Sequence, residues 1–468
     1  MLALTWSLTA LLLPCLLLAF PLPPPNPEDG PLEFAKEYLE HFYGLQPSSG
    51  RQRRMAEMDG FQDKLKEMQR NFGLEETGEL DDCTLAAMKM PRCGLSDVET
   101  VGDSTKWKNN VLTYSLRNYS TKMKLSHVKK AVRSALRMWS EFTPLRFKLT
   151  AKEEADIMIS FKTGDHADNF AFDGNGGVLA HAFQPGWDIG GDVHFDQDEQ
   201  WTLNSSGINL FAVAVHEFGH ALGLHHSPDP GAVMFPAYSF VPLDEFALSQ
   251  NDVESIQKLY GVKPRSRSPT PPRIPPKTPE KCDPELTFDA VMTLQQEMIF
   301  FKDRFMWRSH PNFDKIGITL MASLWSGVPS HINAAYERSD HTILFFKGSG
   351  YWAVRQLDVL DGFPKNIVEF GFPPSVRQID AALHLHAARH TFFFTGNECW
   401  RYNEEQKQME AGYPKPINHE WPGVNTRVDA AVFYEGFIYF FSGNLHYKYD
   451  PIRKYVVQKM NSNKWLHC

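Results

Sequence analysis

The stretch "HEFGHALGLHH", residues 216–226, concentrates side chains able to do chemistry. His216 and His220 lie four apart, so on a helix they share one face. Two imidazoles on one face grip a zinc ion, and Glu217 beside them is placed to take a proton from a metal-bound water. Gly223 can end the helix in a left-handed turn that swings a third ligand to the metal. His226 stands at the right offset for that ligand. His225, one residue off, reads as a rim residue and is the alternative third ligand. Met234, in "GAVMFP", fits the methionine turn that underlies the metal in this motif class, although alone it would read as core packing.

A second group lies upstream. His166, Asp168, His181 and His194 offer four N and O donors with no vacancy, the pattern of a structural zinc rather than a catalytic one. Asp173, Asp196 and Glu199, with Gly174 and Gly176, suit a hard ion such as calcium, and Asp156, Gly190 and Asp192 form another such set. The bland alternative is an acidic surface loop with scattered histidines. Metals would order residues 162–200, which are rich in Gly, Asp and His and show little periodicity.

Several elements must hold these residues. Val128, Ala131, Val132, Ala135, Leu136 and Trp139 mark an amphipathic helix between the strand-like runs "VLTYSL" and "PLRFKLT"; "ADIMISF" follows as a third strand. The motif itself sits on a helix from about Asn209 to Leu224. Earlier, Phe34, Tyr38 and Phe42, then Phe61, Leu65, Met68 and Phe72, recur at helical spacing, so residues 31–90 read as a small helical unit. The basic loop "RQRR", residues 51–54, is a proteolysis candidate or a solvated charge cluster. Residues 263–281 hold seven prolines and read as an extended linker. Beyond them, units beginning at Phe288, Ile332, Ile379 and Val428 repeat an Asp/Asn-Ala start, an aromatic run and a second aromatic strand. A period in the forties predicts a four-bladed propeller. Cys282 precedes the first unit and Cys468 ends the last, so a disulfide there would close the ring.

The bulk numbers bound the class. A chain of 468 residues implies two or three folded units, and 42% apolar content supplies real cores. A net charge of −8 gives no electrostatic case for nucleic acid or an acidic membrane. The N-terminus is apolar through Phe20 and then breaks into prolines, which reads as a secretory signal; no other stretch approaches a membrane span. Sequons at Asn118 and Asn204 fit secretion. Removing the signal takes Cys15 and leaves five cysteines, so at least one thiol has a job other than pairing.

Together, "PRCG" around Cys93, "HEFGHALGLHH" with Met234, "HAD…FDGNGGVLAHAF…GGDVHFD" and the terminal "NKWLHC" resemble a matrix metalloproteinase with a hemopexin-like domain, over nearly the whole chain. The resemblance implies a multidomain fold: a small helical prodomain, an α+β metzincin catalytic domain with a twisted mixed sheet plus helices, and a four-bladed all-β propeller. Implied boundaries are signal peptide 1–20, propeptide 21–100, catalytic domain 101–262, linker 263–281 and propeller 282–468. Zinc ligands fall on His216, His220 and His226, with Glu217 as general base, and the structural zinc on His166, Asp168, His181 and His194. Calcium ligands fall on Asp173, Gly174, Gly176, Val178, Asp196 and Glu199, and on Asp156, Asp188, Gly190 and Asp192. A propeller calcium falls on Asp289, Asn333, Asp380 and Asp429.

The family's latency switch falls on Cys93, whose thiolate would close the metal's open position. The implied activity is a secreted, zymogen-activated zinc endopeptidase of the extracellular space and matrix. It would act on collagen, gelatin or related proteins and meet activating proteases and protein inhibitors of the matrix. The reading from another class is an adhesive propeller protein with an inert protease; an intact catalytic set argues against it. Some positions depart from the family. Ser96 replaces the usual Pro and predicts a looser switch segment. Lys122 and Gln197 replace acidic residues. Ala212 replaces a larger residue lining the S1′ pocket and predicts a deep apolar pocket. Asp229 and Gly231 match collagenases, whereas Ile208 stands where they carry Tyr.

Overall fold

The computed structural model describes residues 30–46, 54–98 (54–59 as backbone only), 105–152, 154–203, 207–238, 241–243, 245–264, 274–295, 297–309, 316–325 and 327–468. The apolar N-terminus with Cys15, residues 51–53 of the basic loop, and Asn204 lie outside these residues.

Three helices come first: α1 Pro31–Tyr43, α2 Arg54–Asn71 and α3 Asp82–Met88. The periodic residues of α1 meet Leu65 and Met68 of α2 and Ala87 and Met88 of α3, so the helical spacing becomes a compact core. Asp81 caps α3 by accepting from the Thr84 N–H. A two-residue strand, β1 Arg92–Cys93, follows.

The next unit contains β2 Val111–Leu116, α4 Leu125–Phe142, β3 Arg146–Leu149, β4 Ile157–Lys162, β5 Val178–Ala182 and β6 Val193–Asp196. Its sheet has the order β1-β5-β6-β4-β2-β3 and is mixed. The pairs β2/β3, β2/β4 and β4/β6 are parallel, β5 runs antiparallel to β6, and β1 lies parallel to β5. The apolar stripe of α4 packs in one core with the sheet and with helix α5. Two short strands, β7 Trp201–Thr202 and β8 Ile208–Asn209, lead into α5 Leu210–Ala221, whose first N–H groups Asn209 caps. Trp139 of α4 donates its indole N–H to Val215 O of α5 at 2.9 Å, so the amphipathic helix buttresses the motif helix directly. A further helix, α6 Gln250–Tyr260, opens on a capping box of Ser249 and Asp252.

The repeats form four antiparallel sheets, whose first strands are Ala290–Leu294, Ala334–Glu337, Ala381–Leu385 and Ala430–Tyr434. Cys282 and Cys468 are disulfide-bonded. Each Asp/Asn that opens a repeat has a local task. Asp289, Asn333, Asp380 and Asp429 accept hydrogen bonds from the N–H groups of Asp303, Gly348, Gly396 and Gly443, at the hairpin of their own blade. Asp289 also pairs with Lys302, and Asp380 with Arg427. Arg427 lies between the third and fourth repeats, and these side chains form no metal-ligand cluster among the described residues.

Candidate active site

His216 and His220 face one another from α5, their Nε2 atoms 3.1 Å apart. Each Nδ1 bonds a backbone carbonyl: Val233 O at 2.7 Å for His216 and Leu224 O at 2.8 Å for His220. Those bonds leave both Nε2 lone pairs turned inward. Gly223, at φ +99°, reverses the chain after the helix, and a Cβ there would lie 2.1 Å from Thr105 O. The turn returns His226, whose ring centroid is 5.3 Å from that of His216 and 4.7 Å from that of His220. His225 turns elsewhere and contacts the Gln184 amide at 3.1 Å, which resolves the choice between the two histidines in favour of His226.

The donor atoms of Cys93, His216, His220 and His226 all lie within 4.8 Å of one another. Burial holds all three imidazoles below their ordinary range, His216 at about 3, so they are neutral. Lone pairs crowded in this way repel unless a cation sits among them, and three imidazoles with one thiol form a donor set that suits zinc. Glu217 is fully buried, and its Oε2 lies 3.7 Å from Cys93 Sγ. Burial pushes its carboxyl up to about 8. Burial, then the Glu217 charge, pushes the Cys93 thiol well up; a bound cation would act in the opposite sense.

The support beneath the cluster was only partly visible in sequence. A Cβ on Gly219 would come 2.2 Å from Met234 Sδ, so the motif glycine admits the methionine under the helix. Asp252, fully buried, accepts from the N–H groups of Val233 and Met234 at 2.8 and 3.1 Å. It therefore fixes the turn whose carbonyl orients His216. The capping-box spacing of Ser249 and Asp252 was the available signal.

Cys93 arrives on β1. Arg92 N–H donates to Gly177 O, Gly94 N–H to Ala180 O and Cys93 N–H to Pro236 O, at 2.8, 2.8 and 3.0 Å. The prodomain strand is thus held between the β5 edge and the wall at 236–238. Arg92 is buried: it pairs with Asp97 at 2.5 Å, donates to Tyr38 OH, and lies 3.5 Å from the Phe42 ring centroid. Asp97 also lies 2.9 Å from His226 Nδ1. Burial would raise Asp97, but Arg92 and His226 outweigh it and hold the carboxyl well below the usual range. Ser96 does not loosen this segment as its sequence position predicted. Its hydroxyl donates to Phe42 O at 2.9 Å and accepts from Val98 N–H, tying the switch to α1.

In the second cluster Asp168 Oδ2 lies 2.9 Å from His166 Nε2, 2.9 Å from His181 Nε2 and 2.7 Å from His194 Nδ1. Four donors close on one point, as a structural zinc requires. Asp173, Asp196 and Glu199 are raised to about 6, 6 and 7, by burial first and, for the latter two, by neighbouring carboxylates. Carboxylates that disfavour each other's charge suit a calcium ion. Glu199 also accepts from Gly176 N–H, and Asp173 from Val178 N–H. Lys122 Nζ donates to Asp198 O, so a cation of the chain itself stands beside this group.

In the other set, Asp188 adopts φ +62°, and burial, with some help from Asp188, raises Asp192 to about 6. The Asp156 carboxylate accepts from the Thr113 N–H and hydroxyl, while its carbonyl oxygen lies 2.5 Å from where a Cβ on Gly191 would stand, beside this set. At Asn118, Nδ2 donates to Phe161 O and Ser120 is fully buried. The expected sugar acceptor is therefore engaged in binding β4.

Comparison with known proteins gives a consistent picture. The family profile described as Matrixin matches residues 106–261, the Hemopexin profile matches 288–330, 332–374, 379–426 and 428–468, and one described as Putative peptidoglycan binding domain matches 30–88. The chain is 44% identical to matrix metalloproteinase-18 of Xenopus laevis, covering 99% of this chain and 100% of the relative. It is 45% identical to interstitial collagenase of Bos taurus, over 96% of each chain. It is also 45% identical to neutrophil collagenase of Homo sapiens, over 92% of each.

Proposed function

Because this chain belongs to the matrix metalloproteinase family, and is a metalloendopeptidase acting on the extracellular matrix, we propose that it is secreted as a zymogen whose Cys93 closes the catalytic centre. The observation that carries the proposal is the meeting of the Cys93 thiol with three imidazoles more than a hundred residues away in sequence. His216, His220 and His226 would hold the zinc that the family implies. When bound, that ion supplies Lewis acidity to the substrate carbonyl. Glu217 takes the proton of the attacking water and passes it to the leaving amine. In the zymogen, β1 occupies the β5 edge with main-chain hydrogen bonds and so denies that edge to an extended substrate.

His166, Asp168, His181 and His194 would hold a structural zinc. Asp173, Gly174, Gly176, Val178, Asp196 and Glu199 would hold calcium, with a second calcium at Asp156, Asp188, Gly190 and Asp192. Native collagen or gelatin is the proposed substrate, supported by the relatives' names and by Asp229 and Gly231. Activating proteases would cut near the basic loop at 51–54, and protein inhibitors of the matrix would occupy the same cleft.

The test uses the full-length secreted chain. Cleavage of a fluorogenic peptide and of native collagen is measured before and after proteolytic removal of the prodomain. Latent protein that becomes active is expected; equal activity before and after would remove the switch, and no activity after removal would overturn the peptidase mechanism.

A further inference from the structure

The wall of the catalytic cleft is also where the propeller docks. Val233 O accepts from His216 and Pro236 O from the Cys93 N–H, so this wall serves both a zinc ligand and the switch. Two groups of contacts hold the wall from outside the catalytic domain. At its start, Asp229 Oδ1 accepts from the Thr278 hydroxyl at 2.6 Å and from the Gly231 N–H at 2.9 Å. Gly231 O in turn accepts from Arg304 Nη2 of the first blade at 2.7 Å. A Cβ on Gly231 would lie 2.2 Å from Thr278 Oγ1 and 2.7 Å from the Phe305 ring, so a glycine lets the linker and the first blade come this close.

Just upstream of Thr278, Pro276 O accepts from the Gln250 N–H at 2.9 Å, which fastens the end of the linker to α6. The second group lies past the wall. There Glu245 accepts from the Ser330 hydroxyl, and Lys347 of the second blade lies 3.7 Å from the same carboxylate. Domains joined by a linker rock against one another unless their interface prevents it. One contact would leave a pivot, whereas two at separate points of the wall fix the angle. Each group bonds through a carboxylate, which strengthens it relative to a neutral acceptor. None of these residues belongs to the prodomain, so its removal takes away no partner.

We propose that Thr278 and Ser330, bound to Asp229 and Glu245, are positioning residues: they hold the first two blades and the cleft in one orientation, for a substrate stiff and long enough to lie across both. The inference rests on the native-collagen reading above. A short peptide occupies the cleft alone and is indifferent to where the propeller sits. A flexible chain that touches both bodies bends to suit whatever angle they adopt. A stiff one gains from its second contact only when the two surfaces already match its shape. A mismatch leaves the scissile bond misplaced at Glu217, which lowers turnover rather than binding.

The experiment measures kcat and KM of the activated full-length enzyme on native collagen, on the same collagen melted to gelatin, and on a short fluorogenic peptide. Two chains are compared with wild type. One carries Thr278→Val and Ser330→Ala, which remove both hydroxyl donors; the other carries Thr278→Ser, which keeps one. Spin labels on α4 and on the third blade report the distance between the domains. In the double variant, kcat on native collagen should fall about tenfold with KM within about twofold, while peptide and gelatin cleavage hold and the distance distribution broadens. Thr278→Ser should match wild type. Unchanged collagen turnover in the double variant would overturn the proposal. So would an equal loss on the peptide, which would mean that the contacts only support the wall, or a loss on collagen with an unchanged distance distribution. A wild type that cuts the peptide but not native collagen would overturn the collagen reading and this inference with it. One that cuts neither would overturn the peptidase reading itself.

Discussion

The two four-donor clusters of the catalytic domain use similar residues and differ in where the fourth donor comes from. His166, Asp168, His181 and His194 all belong to one stretch, and two of them stand on neighbouring strands, with His181 and His194 paired across β5 and β6. The other cluster takes three histidines from α5 and the turn after it, and its fourth donor from β1 of the prodomain. The first cannot open without unfolding its loop. The second opens whenever one strand is stripped from the edge of a sheet. Closure supplied by the domain itself gives stability; closure supplied by a removable segment gives a switch.

The strongest way to break this comparison is His181→Ala. His181 is fully buried at the centre of the closed cluster, so its loss should lower catalytic-domain stability by about 5 kcal/mol or more. Thermal unfolding of the full chain reads this; an unchanged melting temperature with normal metal content would show that the cluster is not structural. Next is Glu217→Ala. Activity after prodomain removal should drop by about 10³-fold, roughly 4 kcal/mol in barrier, while the melting temperature stays close to wild type. Unchanged turnover would end the general-base assignment.

Cys93→Ser tests the switch alone. The unprocessed chain should gain on the order of 100-fold in peptide cleavage, because a hydroxyl is a far poorer metal ligand than a thiolate. Latency equal to wild type would place the block in the β1 backbone instead. The smallest effect is expected for Ser96→Ala, which removes the bonds to Phe42 O and Val98 N–H. About 1 kcal/mol of weaker docking predicts activation roughly fivefold faster under limiting protease, with no change in the activated enzyme. Identical activation kinetics would show that Arg92 and Asp97 hold the segment unaided.

Much of the site was legible because its constraints are local. A His-x-x-x-His pair and a glycine turn fix their geometry within a few residues, and the propeller declares itself by repetition. Other parts were hidden. The tether from Arg92 and Asp97 reaches Tyr38, 54 residues away from Arg92, and a buried guanidinium looks in sequence like any surface arginine. The Asp289, Asn333, Asp380 and Asp429 positions stood out by periodicity. Periodicity marks a shared task without naming it, and their side chains are engaged in closing hairpins. At Asn118 the sequon pattern is blind to the β4 carbonyl that takes up the amide.

By itself, the sequence determined the metal-ligating residue types, the helix and turn that carry them, the number of blades and the presence of a spare thiol. These follow from spacing along one chain, where covalent geometry does the positioning. Only the tertiary structure decided that His226 rather than His225 joins the cluster, that β1 completes the sheet beside β5, and that Arg304 of the propeller lines the same cavity as Ala212, His216 and Glu217. The last two depend on which surfaces meet when separate units pack, and packing between distant segments leaves no periodic trace in the residues that make the contact.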